Sequence, residues 1–299
     1  MTCRVAAVIG VCDEAEIIEP CVRHAAATGV DAIVVVDSGS KDGTAEVLAR
    51  LAAAGMVSVL RTDGDPEKDL DYMLAGVRHA RSLFSPDWIL LQDADEFLLP
   101  RSGDVKAILD GARADVVRLD RFNACPTERL RALLGTHSAP DVAAIDIFVQ
   151  ELRLSRAAMD ADPTIAWVSA RPVEKVIARA GVIAGIAAGA HGVLDANGRP
   201  VPHVPAEHAV VVHVPFSSKT RFFRKVENIG RLFARNPNMF SGAGGWHWRR
   251  WCELSGRGAL DAEFEAQQLD AATLERLRAE GVVARAAAYL DRARPPMSW

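Results

Sequence analysis

Trp88-Ile89-Leu90-Leu91-Gln92-Asp93-Ala94-Asp95-Glu96-Phe97 joins an apolar run to three carboxylates within four residues, and a second apolar patch, Phe97-Leu98-Leu99, follows. Pro86 bounds the run upstream and the acidic turn bounds it downstream, so it reads as a buried strand. In open α/β sheets the carboxyl ends of strands are where ligands bind. An Asp-x-Asp pair at such an end suits a hard divalent ion, Mg²⁺ or Mn²⁺, which takes one or two carboxylates and fills its shell with phosphate oxygens. A solvated acidic turn is the alternative for the same residues, and what surrounds them decides between the two.

Working outward, the first hundred residues alternate strand and helix. The pattern predicts strands at 4–11, 32–36, 57–61 and 88–92, with helices at 14–28, 44–54 and 67–84 between them. Asp13 with Glu16 offers the first helix a capping-box-like start, and Gly29 stops it. Such a βαβαβαβ rhythm implies an α/β fold, a mainly parallel sheet with helices on both faces. Strands are further expected at 115–119, 165–169, 173–178, 182–187 and 208–214, and a helix at 127–134. The chain then turns helical, at 218–234, near 246–251 and at 271–294. The reading is one nucleotide-binding domain over 1–235 with a helical, tryptophan-rich extension over 236–299.

At 299 residues, 49% hydrophobic and 25% charged, the composition is that of an ordinary globular chain able to bury a full core. A formal net charge of −4 argues against nucleic acid or an anionic membrane as the main partner. No apolar run reaches the roughly 18 residues that span a bilayer. The start, Met1-Thr2-Cys3-Arg4-Val5, lacks a signal-peptide pattern, so a cytoplasmic location is expected. Five cysteines without a Cys-x-x-Cys pair suit neither zinc nor a disulfide framework and read as reduced thiols.

Right-handed crossovers would bring the ends of the early strands to one edge: Cys12-Asp13-Glu14, Asp37, and Asp93-Ala94-Asp95-Glu96. The turn Asp37-Ser38-Gly39-Ser40-Lys41-Asp42-Gly43-Thr44 opens a helix whose free N–H groups suit an anion, although Ser40 and Asp42 are equally preferred helix caps. It is neither a P-loop nor a dinucleotide fingerprint, since Gly-Lys-Ser/Thr and G-x-G-x-x-G are both missing. That argues against a dehydrogenase.

These segments resemble the family 2 glycosyltransferases of the GT-A fold, especially a bacterial branch with an RNEA…DNGSTDGT…DADEF layout. The resemblance rests on Cys12 to Ala15, Asp37 to Thr44 and Asp93 to Phe97. It continues more loosely through Lys175-Val176-Ile177, Ala190-His191-Gly192, Val212-His213-Val214, Ser218, Phe222 and Lys225, over about residues 4–230. Cys12-Asp13-Glu14 departs from the family's Arg-Asn-Glu.

The resemblance implies a nucleoside-diphosphate sugar as donor, a UDP-sugar by preference, and a saccharide or small molecule as acceptor. Asp37 with Cys12, Asp13, Glu14 and Ser40 would hold the base, Asp93 and Ala94 would approach the ribose, and Lys225 would touch a phosphate. Asp95, joined by His213, would ligate Mn²⁺ or Mg²⁺. A base for an inverting transfer is sought among Glu151, Glu174 and Asp195, with Glu174 preferred. His191 is expected on the acceptor side, and His24 and His79 on the surface. Lys219, Arg221 and Arg224, beside Lys225 in the helix, read as a solvated charged face.

The glycine hinge and indoles of 238–251 suit an acceptor lid carrying Trp246 and Trp248; packing of the same indoles on a core is the other reading. Two further classes stay open. A sugar-phosphate nucleotidyltransferase would share the sheet, though the Gly-x-Gly-Thr-Arg loop it needs is not at Gly10-Val11-Cys12-Asp13. A catalytically silent nucleotide- or sugar-binding module would share the pocket.

Overall fold

The computed structural model describes residues 3–62, 72–135, 137–162, 165–237 and 245–291. Twelve strands lie among them: β1 (Val5–Val11), β2 (Ala32–Asp37), β3 (Ser58–Arg61), β4 (Trp88–Asp93), β5 (Glu96–Pro100), β6 (Val116–Asn123), β7 (Asp146–Phe148), β8 (Lys175–Arg179), β9 (Gly185–Ile186), β10 (Val193–Leu194), β11 (Val204–His213) and β12 (Val283–Arg285). Eight of them form one sheet in the order β3-β2-β1-β4-β8-β6-β11-β5.

The early strands pair in parallel, β1 between β2 and β4 and β2 beside β3, as their βα alternation requires. The far half departs from that pattern. β8 runs antiparallel to both β4 and β6, and β5 runs antiparallel to β11. Six strands therefore point one way and two the other. The reversals place the starts of β5 and β8 at the same rim as the carboxyl ends of the other six. Glu96 and Lys175 thereby meet Asp93, Asn123 and His213. The patch Phe97-Leu98-Leu99 is part of β5, which forms because the chain turns back directly after Asp95.

β1 shows why the sheet is covered on both sides. Val5, Ala7, Ile9 and Val11 face one core with Cys21 and Val22 of helix Ile18–Ala27 and Leu48 and Leu51 of helix Thr44–Ala53. Ala6 and Val8 face the other, with Met73 and Val77 of helix Tyr72–Phe84. This last helix approaches the sheet closely, because a Cβ on Gly76 would lie 2.6 Å from methyl carbons of both Val8 and Val36. The expected start of this helix at 67–71 lies outside the described residues.

Several expected elements change form. The first helix begins at Ile18 without a side-chain cap, because Asp13 adopts φ of 59° and turns its carboxylate elsewhere. Residues 167–169 make a short 3₁₀ turn instead of a strand, and 182–187 give a 3₁₀ turn and the two-residue β9. The span 271–294 breaks into helix Ala271–Ala279, β12 and helix Ala286–Asp291, with Gly281 at φ of 72° at the break. His24 is buried, with Nε2 2.6 Å from the Leu98 carbonyl, not on the surface. Half-buried His79 pairs with Ser58 Oγ at 2.9 Å. All five cysteines are free thiols, Cys21 and Cys125 fully buried.

The C-terminal helices close a third core. Trp251 lies edge-on to Trp167, Phe216, Phe222 and Trp248, with centroids 5.0 to 5.7 Å apart, and donates its indole N–H to Glu263 at 2.9 Å. β12 pairs with β7, which ties the extension to the middle of the chain. No helix among the described residues is long and apolar enough to cross a membrane.

Two substitutions test this packing. Gly76→Leu should prevent folding, and Gly76→Ala should cost about 1–3 kcal/mol by overpacking the contact with Val8 and Val36 despite a helix-propensity gain of about 1 kcal/mol. Trp251→Ala should cost about 3–5 kcal/mol, and half-buried Trp248→Ala less. Urea denaturation of each variant gives the comparison, and an unchanged midpoint for Trp251→Ala would contradict the third core.

Candidate active site

The rim is built first from backbone geometry. The left-handed conformation of Asp13 lets its carboxylate accept from Lys41 N–H at 2.5 Å and from Asn228 Nδ2 at 2.9 Å, while its own N–H donates to Ser40 Oγ at 2.9 Å. Asp37 accepts from Ser40 N–H at 2.9 Å through one oxygen, and its other oxygen lies 4.0 Å from Arg61 Nε. Ser40 thus knits the ends of β1 and β2 together. Asp42 accepts from Thr44 N–H at 3.0 Å just ahead of the second helix, whose N-cap is Gly43. Cys12 is partly exposed beside Asn228, and burial and then Asp13 push its thiol up to about 11, so it is an uncharged neighbour.

At β4 the carboxylates meet buried cations. Asp93 takes Lys175 Nζ at 2.8 Å and keeps about a third of its side chain exposed. Ala94 turns its methyl into the core and offers the rim only backbone. Asp95, 1% exposed, takes Arg221 Nη2 and Lys225 Nζ on one oxygen, each at 2.6 Å. Glu96 takes Arg121 Nη1 and lies 3.4 Å from Lys175 Nζ. Glu14 is clasped by Arg221 through Nε and Nη2 and lies 3.4 Å from Lys225 Nζ. Its carboxylate is therefore closed toward the helix and not open toward the rim. Four carboxylates and four cations share this small volume. Burial alone would raise the Asp95 carboxyl; Lys225 and Arg221 outweigh it and hold the group well below the usual carboxylate range.

His213 presents a different feature. Asn123 Nδ2 donates to the Val168 and Ala170 carbonyls, both at 3.0 Å, which fixes Asn123 Oδ1 as an acceptor. His213 Nδ1 lies 2.7 Å from that oxygen and so carries the proton. Burial keeps the imidazole neutral, its pKa well below normal. The lone pair on Nε2 consequently faces Asp95 Oδ2 across 3.7 Å. That oxygen is the one Arg221 and Lys225 already hold, so a cation shared between it and Nε2 would have to displace one of them; an acceptor fixing the far ring nitrogen, as Asn123 Oδ1 does, is the usual support of a metal-ligating histidine. These two residues could hold a divalent ion only with most of its ligands supplied from outside the protein. Among the described residues no cluster of three or more His, Cys, Asp or Glu side chains could hold one unaided.

Other expected site residues divide. Glu174 lies one residue before β8, half-buried, next to Lys175, whose Nζ reaches Asp93. His191 Nδ1 donates to the Glu174 carbonyl at 2.8 Å, and burial with Lys175 and Arg121 lowers its pKa to about 4. Asp195 accepts from the N–H groups of Asn197 and Arg199 in an exposed turn. Glu151 is exposed. Trp246 and Trp248 are half-buried against the third core; residues 238–244, including the expected hinge at Gly242 and Gly244, lie outside the described residues.

Sequence reasoning missed Arg221, Asn228, Arg121, Lys175 and Asn123 as site residues. Arg221, Lys225 and Asn228 were legible in principle. Their i, i+4, i+7 spacing puts all three on one helical face, and the structure turns that face to the rim.

The curled, mainly parallel sheet with its acid-rich rim is that of a GT-A-type α/β domain. The sequence model of glycosyl transferase family 2 matches residues 6–176, more than half of the chain, and the chain belongs to that family. No curated protein matches it. Among solved structures it is similar to S. aureus TarS 1–349 in complex with UDP, at 13% identity and a TM-score of 0.41, over 77% of this chain and 65% of that one. It is also similar to glucosyl-3-phosphoglycerate synthase from Mycobacterium tuberculosis in complex with Mn²⁺, UDP and glucosyl-3-phosphoglycerate, at 18% identity and a TM-score of 0.35, over 71% of this chain and 72% of that one. The chain thus spans just under two thirds of the length of the TarS 1–349 structure.

Arg221→Ala should destabilise the protein by about 3–5 kcal/mol at pH 7, because it strips a buried partner from Glu14 and Asp95. A carboxyl held low in the folded state stabilises above its unfolded pKa of about 3.9 and loses that contribution as pH falls toward its folded value. The gap between wild type and variant should therefore narrow below about pH 4. Urea titrations at pH 7 and pH 3.5 measure it, and a gap that widened in acid would contradict the pairing.

Proposed function

We propose that this protein transfers a sugar, a hexose or a relative of one, from a nucleoside-diphosphate sugar to an acceptor hydroxyl, with UDP as the favoured nucleotide and a divalent ion, Mn²⁺ or Mg²⁺, at Asp95 and His213. The observation that carries this reading is the neutral His213 lone pair facing the Asp95 carboxylate at the rim, in a chain of glycosyl transferase family 2. The relatives crystallised with UDP, and one with Mn²⁺, agree with that choice of nucleotide and ion.

Each residue's part follows from its placement. Asp37 keeps one oxygen free of the Ser40 contact and, with Cys12 and Asp13, lies where the base would sit. Ser40 and Glu14 act indirectly, the first by shaping that turn and the second by holding Arg221. Asp93, half-open beside Ala94, would accept from the ribose. Lys225, the more exposed of the two cations on Asp95, can turn its ammonium to a phosphate. The ion, when bound, neutralises charge developing on the leaving diphosphate. Glu174 would take the proton of the acceptor hydroxyl as it attacks the anomeric carbon, with His191 bracing its backbone. Trp246 and Trp248 would wall the acceptor side from their helix, which docks through Trp251.

Thermal shift tests the donor site, since a ligand selective for the folded state raises apparent stability by about 2.7 kcal/mol at one hundred times its dissociation constant. UDP with Mn²⁺ should stabilise the protein more than UDP alone. Asp95→Asn should remove the Mn²⁺ increment and metal-dependent turnover, and Asp37→Ala should weaken UDP binding while changing kcat less. If no nucleoside diphosphate shifts the melting curve with or without Mn²⁺, the donor assignment is wrong.

A further inference from the structure

Arg121 stands at the far half of the rim, on β6, two strands beyond β4 in the sheet order. Its side chain is only 10% exposed. Among the described residues its one hydrogen bond leaves from Nη1, to Glu96. Glu96 is itself fixed, accepting from Asp93 N–H at 3.0 Å with Lys175 Nζ 3.4 Å away. Nε is buried without a partner. Nε and Nη2 form the outer edge of a guanidinium, two parallel N–H vectors that match a carboxylate or phosphate in fork geometry. A buried cationic donor left unpaired costs free energy unless something fills it. Here the anchored end belongs to Glu96 and the open edge to no group described in the chain.

The surroundings favour an anion at that edge. Two imidazoles, His191 and His247, lie within the field of Arg121; burial, the leading cause in each, together with that field lowers their pKa values, to about 4 and about 3. His247 comes from the C-terminal helix Trp246–Gly256 and packs at a tilt against Trp167, ring centroids 4.7 Å apart. Low polarity strengthens a charge-assisted hydrogen bond formed there. The donor half of the rim, at β1, β2 and β4, already has its own polar groups in Asp13, Asp37, Asp93 and Asp95. Arg121 falls on the other half.

We propose that the open Nε/Nη2 edge of Arg121 recognises the acceptor, and that the acceptor is an anionic molecule offering a carboxylate or phosphate to that fork. This rests on the sugar-transfer reading given above and deepens it by assigning the chemical class of the second substrate.

The test uses inorganic phosphate and acetate as probes, with glycerol as the neutral control, titrated by calorimetry into the whole protein, alone and saturated with UDP and Mn²⁺. Phosphate or acetate should bind to the saturated protein, and glycerol should not; which of the two anions binds separates phosphate from carboxylate recognition. Arg121→Lys keeps the charge on Glu96 but removes the fork, and should raise the anion's dissociation constant at least about tenfold. A cooperative melting curve for Arg121→Lys confirms that it is folded; Arg121→Gln is the second variant and should lose the anion altogether. Equal anion affinity in Arg121→Lys and wild type would overturn the proposal. So would anion binding that disappears once UDP and Mn²⁺ are present, because the fork would then serve the donor's diphosphate. Failure of UDP and Mn²⁺ to bind would instead strike the donor reading, which the protein-alone arm separates from the fork.

Discussion

Arg221 is the constraint on which the rim depends. Its guanidinium is buried and spans two carboxylates, Glu14 after β1 and Asp95 after β4. A lone buried carboxylate would take up a proton or distort the turn that carries it. With Arg221 in place the Asp95 carboxyl is held low and Glu14 is paired, and helix Lys219–Arg235 is locked across the ends of the two strands. Ser218 caps that helix, accepting from Arg221 N–H at 3.1 Å, and donates to Glu16 at 2.5 Å. The same residues thus start the helix and join it to the first βα loop. Continuum arguments make such buried pairs poor sources of net stability. Their effect here is positional: they bring Lys225 and Asn228 to Asp95 and Asp13.

The sheet's reversals have a matching electrostatic consequence. Were β5 and β8 parallel to their neighbours, Glu96 and Lys175 would open at the opposite edge. Running antiparallel, each starts at the rim, and Lys175 bridges Asp93 and Glu96 while donating to the Gly189 carbonyl at 2.9 Å. Four acids are thereby balanced by four bases. With these four acids paired, Asp95 and the uncharged His213 attract a bare divalent ion only weakly. Under the proposed function most of that ion's ligands must then arrive with the diphosphate, the expected habit of Mg²⁺ and its relatives.

The parts visible in the sequence are those governed by local rules. Strands β1, β2 and β4 show as apolar runs with acidic ends, and the helix over 219–235 shows as the helical stretch at 218–234. Family resemblance picked out Asp37, Asp93, Asp95 and His213. What stayed hidden depends on partners distant in the chain. Arg221 looked solvated because nothing near it in sequence reveals Glu14, 207 residues away. Residues 165–169 looked like a strand, since β-branched and aromatic residues suit any half-buried extended segment. Tertiary context instead uses the Val168 and Ala170 carbonyls to orient Asn123. Asp13 offered a plausible cap until its left-handed backbone turned it toward Lys41 and Asn228.

The tryptophan-rich extension then acquires a physical rationale beyond composition. Trp251 is enclosed by Trp167, Phe216 and Phe222, all on segments that flank the rim, so the C-terminal helices press on the 167–170 turn. That turn holds Asn123 in place, Asn123 sets the His213 tautomer, and the tautomer leaves the lone pair toward Asp95. The family match ends at residue 176, before His213, Arg221 and the indoles. Half of the rim's electrostatics is therefore built by chain that lies outside the matched segment. Asp95 sits at the junction: its backbone belongs to the matched half, while Lys225 and Arg221, which hold its carboxyl low, come from the other.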